Sequence, residues 1–390
     1  MLSVIRRARK SLGHAALALA AMALAACQPA GGPGGAVVDS SAPVIVALLV
    51  PSGSGQASDE LLARSLQNAA RLAITDLGTN RIDLRVYNTA GQPATAQAMT
   101  TRAIDEGARI ILGPVFAQEA NAAGAAARAR GINVLAFSNN PDIAGGNVFI
   151  LGQTFGNTAD RLAGYAVRNG KSRIMVVHDQ NTAGQLGRRA IEQGVARAGG
   201  SVVAVGSYEF SQNGVLSAAP RIAATARDNN ADAVFLTADT AGALPLVSQI
   251  LADNGLSPSV TQFIGLTRWD IPQATLGLPG VQGGWFALPD PARYQQYQNR
   301  YQAAFGEPPH PISGLAYDGI AAIGALLKQG RTTDLNAQAL TQAAGFVGVN
   351  GIFRLRSDGQ NERGLAVAQI RNNQVVIIDA APRSFGGFGS

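Results

Sequence analysis

Residues 43–74 read PVIVALLVPSGSGQASDELLARSLQNAARLAI, and no other stretch constrains the fold as tightly. Val44 to Val50 is almost unbroken apolar sequence, as in a strand covered on both faces of a parallel sheet. Pro51-Ser52-Gly53-Ser54-Gly55 breaks that run. Ser58 reads as an N-cap, with Asp59 and Glu60 where a helix dipole favours acids. Leu61, Leu62, Leu66, Ala69, Ala70, Ala73 and Ile74 then recur at helical spacing, so one helix face is apolar. The loop Ser52 to Gln56 falls at the carboxyl end of the strand, where open parallel sheets bind ligands.

The same alternation continues. Strands are predicted over 82–87, 109–112, 133–137, 173–178, 202–207, 233–236 and 262–265. Helices are predicted over 95–106, 118–130, 158–168, 186–197, 220–229 and 241–253. Gly107, Gly131, Gly170 and Gly199 stand just past four of those helices, where a left-handed cap is common. The pattern predicts an α/β fold with parallel sheets. Residues 283–288 read as a strand, 293–305 and 312–329 as helices, and 352–356, 365–370 and 375–379 as strands joined by turns.

Residues 1–26 are expected to be a lipoprotein signal peptide: a basic start, a short apolar core, then Leu24-Ala25-Ala26-Cys27. Cys27, the sole cysteine, is the expected lipidation site, and no disulfide can form within the chain. Residues 27–42 form the acylated cysteine and a Gly/Pro/Ser/Ala tether with a reach of about 20 Å. Gln28, rather than an aspartate, follows the cysteine and favours the outer membrane over the inner, on its periplasmic face. Arg6, Arg7, Arg9 and Lys10 fall in the leader, so the formal +6 drops to +2 without those four residues. The basic residues left are scattered, which argues against a nucleic-acid partner.

The sequence argues against an enzyme. Beyond the leader the histidines are His178 and His310, and His310 sits in a proline-rich turn. No HExxH, Walker A or strand-linked GxGxxG is present. Ser54 lies between Gly53 and Gly55, not in the Gly-x-Ser-x-Gly spacing of a nucleophile elbow. No catalytic residue, metal site or cofactor is assigned.

The order and spacing of several further motifs carry a resemblance. They are PSGSGQ with Asn68-Ala69-Ala70-Arg71, then Ile110-Ile111-Leu112-Gly113-Pro114, Val134-Leu135-Ala136-Phe137-Ser138, His178-Asp179 with Gly184, Gly283-Gly284-Trp285-Phe286, and Ala316-Tyr317-Asp318. The mature chain resembles the type I periplasmic solute-binding fold, in its leucine-binding-protein-like branch. The resemblance implies two lobes, each a mostly parallel sheet flanked by helices, with a ligand cleft between them. It implies lobe 1 over 43–153 plus 290–347, lobe 2 over 154–289 plus 348–382, and a loose tail at 383–390. Hinge crossovers are expected near Gln153, Pro289 and Gly348.

The resemblance also implies where a ligand would touch. The cleft candidates are Ser52, Ser54, Gln56, Asn88, Thr89, Phe116, Ser138, Asn139, Asn140, Asp179, Thr237, Asp239, Arg268, Trp269 and Asp270. Each has a structural alternative: Ser and Asn after strands form turns and caps, His178 reads as a structural histidine, and tryptophans pack lobes. Trp269, in a loop, is expected to be the more exposed of the two tryptophans. Amino-acid-binding relatives hold the substrate carboxylate with hydroxyls where this chain has Phe116 and Ala117. They often place an aromatic where Ala183 stands, and an acid where Thr267-Arg268-Trp269-Asp270 runs. A zwitterion needs both charges paired, so these substitutions count against free amino acids. The reading favoured from sequence is an activator of penicillin-binding proteins in peptidoglycan synthesis, as among lipid-anchored alphaproteobacterial members of this fold. The alternative is the solute receptor of an ABC importer, partnered by its permease, for a branched-chain amino acid or similar small polar solute.

Overall fold

The computed structural model describes residues 42–78, 81–329 and 335–385. The expected signal peptide, Cys27, nearly all of the tether and residues 386–390 lie outside the described residues.

The first sheet contains β1 (Val44–Val50), β2 (Ile82–Asn88), β3 (Ile110–Leu112), β4 (Val134–Ala136) and β5 (Val148–Ile150). Their order is β2-β1-β3-β4-β5, and all pairings are parallel. Side chains of β1 alternate between two cores: Val46, Leu48 and Val50 enter one, Ala47 and Leu49 the other. That two-sided burial is why the strand reads as a continuous apolar run. Helices α1 (Ala57–Leu77), α2 (Pro93–Asp105) and α3 (Ala117–Arg128) connect the strands. Helix α1 begins two residues after Gly55, not at Ser58; its N-cap is Gln56, with no side-chain cap bond, while Asp59 and Glu60 do lie in its first turn.

The second sheet repeats this topology with β6 (Arg173–Asp179), β7 (Ser201–Tyr208), β8 (Ala233–Leu236), β9 (Gln262–Gly265) and β10 (Trp285–Leu288). The order β7-β6-β8-β9-β10 matches the first sheet strand for strand, and an antiparallel hairpin, β14 (Ala366–Arg371) and β15 (Gln374–Asp379), extends it beyond β10. Helices α4 (Phe155–Arg168), α5 (Thr182–Arg197), α6 (Gln212–Asp228) and α7 (Leu244–Asp253) cover it. Helix α4 starts with a reciprocal capping box between Thr154 and Asn157. Helix α6 runs through Pro220 instead of starting there, because its buried face, Val215, Ala218, Ala219, Ile222, Ala223 and Ala226, continues across the proline.

Between β10 and β14 the chain returns to the first lobe. Helices α8 (Pro291–Phe305) and α9 (Gly314–Lys328) pack Tyr297, Tyr301, Ile320 and Ile323 into the core behind β1. The short α10 (Ala337–Leu340) and a small antiparallel sheet, β11 (Phe346–Gly348), β12 (Gly351–Leu355) and β13 (Asn361–Arg363), follow. Phe353 and Leu355 belong to the first core, whereas Leu365 and Val367 belong to the second lobe. The last passage between cores therefore lies near Gly364, not at Gly348 as the resemblance implied.

A buried polar network binds the crossing segments. Asp318, within the apolar helix α9, pairs with Arg363 at 3.1 Å, and both are buried. Asp318 also accepts bonds from the Val349 amide at 2.8 Å and the Asn350 side chain at 3.1 Å. Arg363 donates through Nε to the Leu151 carbonyl at 2.9 Å and again to it through Nη2. Asn361 donates to the carbonyls of Ile150 and Gly152 at 2.9 and 2.8 Å. The Asp290 amide donates to the Asn350 carbonyl at 3.3 Å. Both charges in this network are thus fully bonded as well as paired, as buried ions must be.

Candidate functional site

In a sheet ordered 2-1-3-4-5 the direction of chain progression reverses beside the first strand, and a crevice opens at the carboxyl ends there. This chain has two such points: between β1 and β3, and between β6 and β8. The carboxyl edges also lie on the crossing side of each lobe. β5 leaves the first sheet at Ile150 straight into residues 151–154, and β10 leaves the second at Leu288 straight into residues 289–290. Both sets of loops therefore line one cleft.

On the first lobe, Thr89 is buried and its hydroxyl donates to the Val50 carbonyl at 3.1 Å. A Cβ on Gly91 would lie 3.6 Å from the Phe116 ring, 3.8 Å from Ser54 and 3.9 Å from the Asp59 carboxylate. These residues from three successive loops thus form one wall. Phe116 is 40% exposed. Ser52 and the Gly53 amide donate to Glu60, each at 2.6 Å, which lowers the Glu60 pKa. The Ser54 hydroxyl accepts from the Gln56 amide at 3.1 Å. Asn88 and Gln56 are exposed. Glu119, in the first turn of α3, is wholly buried. Neither of its carboxylate oxygens makes a regular hydrogen bond. Burial raises its pKa; Thr89 and the Phe116 amide lie close enough to favour its charged form but fall outside bonding geometry, and Asp59 repels it.

Ser138, Asn139 and Asn140 follow β4. The Ser138 hydroxyl accepts from the Asn140 amide at 3.2 Å, and Asn140 Oδ1 accepts from the Asp142 amide at 2.9 Å. The polar groups of Ser138 and Asn140 are engaged in turn formation.

On the second lobe, Asp179 ends β6, Tyr208 ends β7, and Thr237 and Asp239 follow β8. Asp179, Tyr208 and Thr237 are buried, yet Asp179 Oδ1, Tyr208 Oη and Thr237 Oγ1 have no hydrogen-bond partner. Burial raises the Asp179 pKa and the Asp239 charge adds to the rise, while His178 and the Asn181 and Gly184 amides favour the charged form. The Tyr208 hydroxyl is pushed up mainly by burial and also by Asp179 and Asp239. His178 is buried, its Nδ1 2.7 Å from the Asp179 carbonyl oxygen, in a structural contact. Asn181, not Asp179, caps α5, accepting from the Gly184 amide at 2.8 Å. Asp239 is exposed at the mouth. A Cβ on Gly242 would lie 2.7 Å from Asp239 Oδ1 and 3.2 Å from the Phe210 ring, which is 56% exposed.

After β9, Arg268 and Asp270 form a two-pronged ion pair with each other. They reach toward Tyr294 of α8, whose hydroxyl pKa is raised chiefly by burial, with Arg268 lowering it and Asp270 raising it. Trp269 is fully buried, contrary to the exposure expected of it. Its ring fills the space beside Gly265 and Gly284, where any Cβ would come within 2.3 Å of the ring. Trp285 is buried as well and meets Tyr165 edge-on at 5.0 Å. The tryptophans therefore build the lobe rather than a ligand platform.

The structure brings together Ser52, Ser54, Thr89 and Phe116 on one wall, and Asp179, Thr237 and Asp239 on the other. Sequence reading missed Tyr208, Phe210, Asp59 and Glu119. Tyr208 and Phe210 flank the end of β7, and that position alone could have flagged them.

Residues 43–374 match the profile of a family described as periplasmic binding protein. Among solved structures, one from Rhodospirillum rubrum assigned to a branched-chain amino acid ABC transporter has 18% identity and a TM-score of 0.72, covering 86% of this chain and 100% of its own. An ABC transporter substrate-binding protein from Desulfitobacterium hafniense in complex with Leu has 18% identity and a TM-score of 0.63, covering 86% and 100%. An R. palustris solute-binding protein in complex with benzoate has 20% identity and a TM-score of 0.56, covering 88% and 97%. At these identities the likeness is one of fold. No curated protein matches the sequence.

Proposed function

The chain belongs to the periplasmic binding protein family, and from that premise we propose that it is the solute receptor of an ABC importer. The observation that carries this reading is at the carboxyl ends of β6, β7 and β8, where three buried polar atoms lack partners. Unpaired buried polar groups cost stability, and a bound polar solute would satisfy them. The mechanism is binding, not catalysis. The solute enters between the carboxyl edges, the lobes close about the crossing segments tied by Asp318 and Arg363, and the closed form is presented to a permease. A leucine-like solute is the class that the neighbouring structures suggest.

A second reading is an activator of penicillin-binding proteins. It is favoured by Phe116 and Ala117 at the start of α3 and Ala183 before Gly184, which offer none of the carboxylate- or ring-binding groups implied for amino-acid receptors. Lipidation at Cys27 belongs to either proposal, and attachment to the outer membrane to the activator reading, since a receptor must reach a permease in the inner membrane. Co-purification from membranes separates them: recovery of an ABC permease supports the receptor, and recovery of a peptidoglycan synthase without a permease overturns it.

A further inference from the structure

The charge of the cleft limits which solute it can hold. The loops and first helical turns after β1, β3, β6, β7 and β8 carry Asp59, Glu60, Glu119, Asp179, Glu209 and Asp239, and no lysine or arginine. Glu60 is held in its charged form by bonds from Ser52 and the Gly53 amide. The remaining acids have no lysine or arginine within those segments, and His178 beside Asp179 favours its charged form. The arginine that follows β9, Arg268, is taken by Asp270.

Helix dipoles account for part of this pattern, since Asp59 and Glu119 lie in first turns. They do not account for Glu209 and Asp239, which precede their helices, whereas Asp179 lies against the first turn of α5, where the Asn181 and Gly184 amides favour its charged form. Nor are the amide ends of α5 and α6 open to an anion, because Asn181 and Ser211 already cap them at 2.8 and 3.0 Å. The start of α3 is screened from an incoming carboxylate by the Glu119 side chain buried behind Phe116. An anion in this cleft would face fixed negative charge on both walls.

A cation would find complementary groups. Asp179 Oδ1, Tyr208 Oη and Thr237 Oγ1 are three oxygens, each on a side chain more than nine-tenths buried and each unpartnered. An ammonium group has donors and no acceptor, and these oxygens offer acceptors beside the exposed carboxylate of Asp239. Exposed rings stand on both walls, Phe210 against the Asp239 loop and Phe116 against Gly91 and Ser54. An aromatic face favours a cation, and its apolar surface favours a hydrocarbon body.

The geometry points to an organic amine with an apolar body as the solute, its ammonium group held between Asp179 and Asp239 and its hydrocarbon part against Phe210 and Phe116, with no carboxylate required. This inference rests on the receptor reading and sets an amine in place of the leucine-like class that the neighbouring structures suggest.

Calorimetry on the purified full-length chain tests it with phenethylamine, putrescine, leucine and benzoate as probes. Phenethylamine is expected to bind at least about tenfold more tightly than leucine or benzoate. Asp239→Asn is expected to weaken phenethylamine binding by about tenfold or more, and Phe210→Ala by a few-fold. Asp239 and Phe210 are both exposed, so these variants are expected to fold, and unchanged melting would confirm it. Tighter binding of leucine or benzoate than of either amine would overturn the amine assignment and leave the receptor reading standing. Amine binding that Asp239→Asn does not alter would also overturn it. Absence of binding by all four probes, together with recovery of a peptidoglycan synthase on co-purification, would overturn both.

Discussion

Buried charge is handled in opposite ways at the crossing segments and at the cleft floor. At the crossing, Asp318 and Arg363 are each buried, paired with one another and further bonded to backbone on neighbouring segments. At the cleft floor, Asp179 Oδ1 and both Glu119 carboxylate oxygens are buried without a hydrogen-bond partner. Desolvating a charge is costly unless its bonding capacity is filled. The bonded Asp318 and Arg363 charges therefore mark a part of the molecule that holds its geometry, although Asn361 Oδ1 beside them has no partner. The unbonded carboxylate oxygens mark a part whose stability a bound group would raise.

The largest expected effect comes from breaking the saturated side. Arg363→Met strands the Asp318 charge among apolar groups and is expected to cost about 3–5 kcal/mol in urea unfolding. Adding Asp318→Leu removes the stranded charge, so the double variant is expected to be more stable than Arg363→Met alone. Additive losses would mean that the pair is not coupled.

Changing the unsaturated side has the opposite sign. Glu119→Gln is expected to stabilise the solute-free protein by about 1 kcal/mol at neutral pH. Burial raises the Glu119 pKa above its ordinary 4.5, so the native state holds the proton more tightly than the unfolded chain. Its contribution to stability is then full below that ordinary value and is lost as pH rises through the raised native one. The advantage of glutamine is therefore expected above that window and should fade on acidification. A loss of stability at neutral pH would show that Thr89 and the Phe116 amide outweigh desolvation.

Smaller effects sharpen the contrast. Asn140→Ala removes a turn bond to the Asp142 amide and is expected to cost about 0.5–1 kcal/mol in unfolding experiments without changing solute affinity. Asp239→Asn lies on an exposed site, so the solute-free protein should change by less than about 0.5 kcal/mol, with the loss confined to binding.

Much of the scaffold was legible because a buried parallel strand and an amphipathic helix write distinct periods into the sequence. β8 and β9 match their predicted spans, and Gly107, Gly131, Gly170 and Gly199 all have positive φ. The misses have physical causes. β5, β11 and β13 have three residues each and none directly follows a predicted helix, whereas the equally short β3 and β4 were placed by the helix–strand alternation. Pro220 suggested a boundary that apolar packing overrides. Trp269 lies in a loop by sequence but is enclosed by Gly265 and Gly284, which come together only in the fold. Asp318 stands inside an apolar helix, which predicts a buried partner but not that the partner is Arg363, 45 residues away. The cleft was legible as a place, through the strand ends. Its unfilled oxygens were not, because bonding state depends on the approach of β6, β7 and β8, which sequence spacing does not encode.

The most direct test of the receptor account is thermal melting of the full-length protein against amines, amino acids, aromatic carboxylates and muropeptides. A true solute at a hundred times its dissociation constant stabilises the native state by about 2.7 kcal/mol, which raises the midpoint by a few degrees. The account predicts such a rise with one small polar solute, lost in a variant at the carboxyl ends of β6, β7 and β8 such as Thr237→Val. An unchanged midpoint across the whole panel would contradict it, and would leave the unpaired oxygens at those strand ends without a functional explanation.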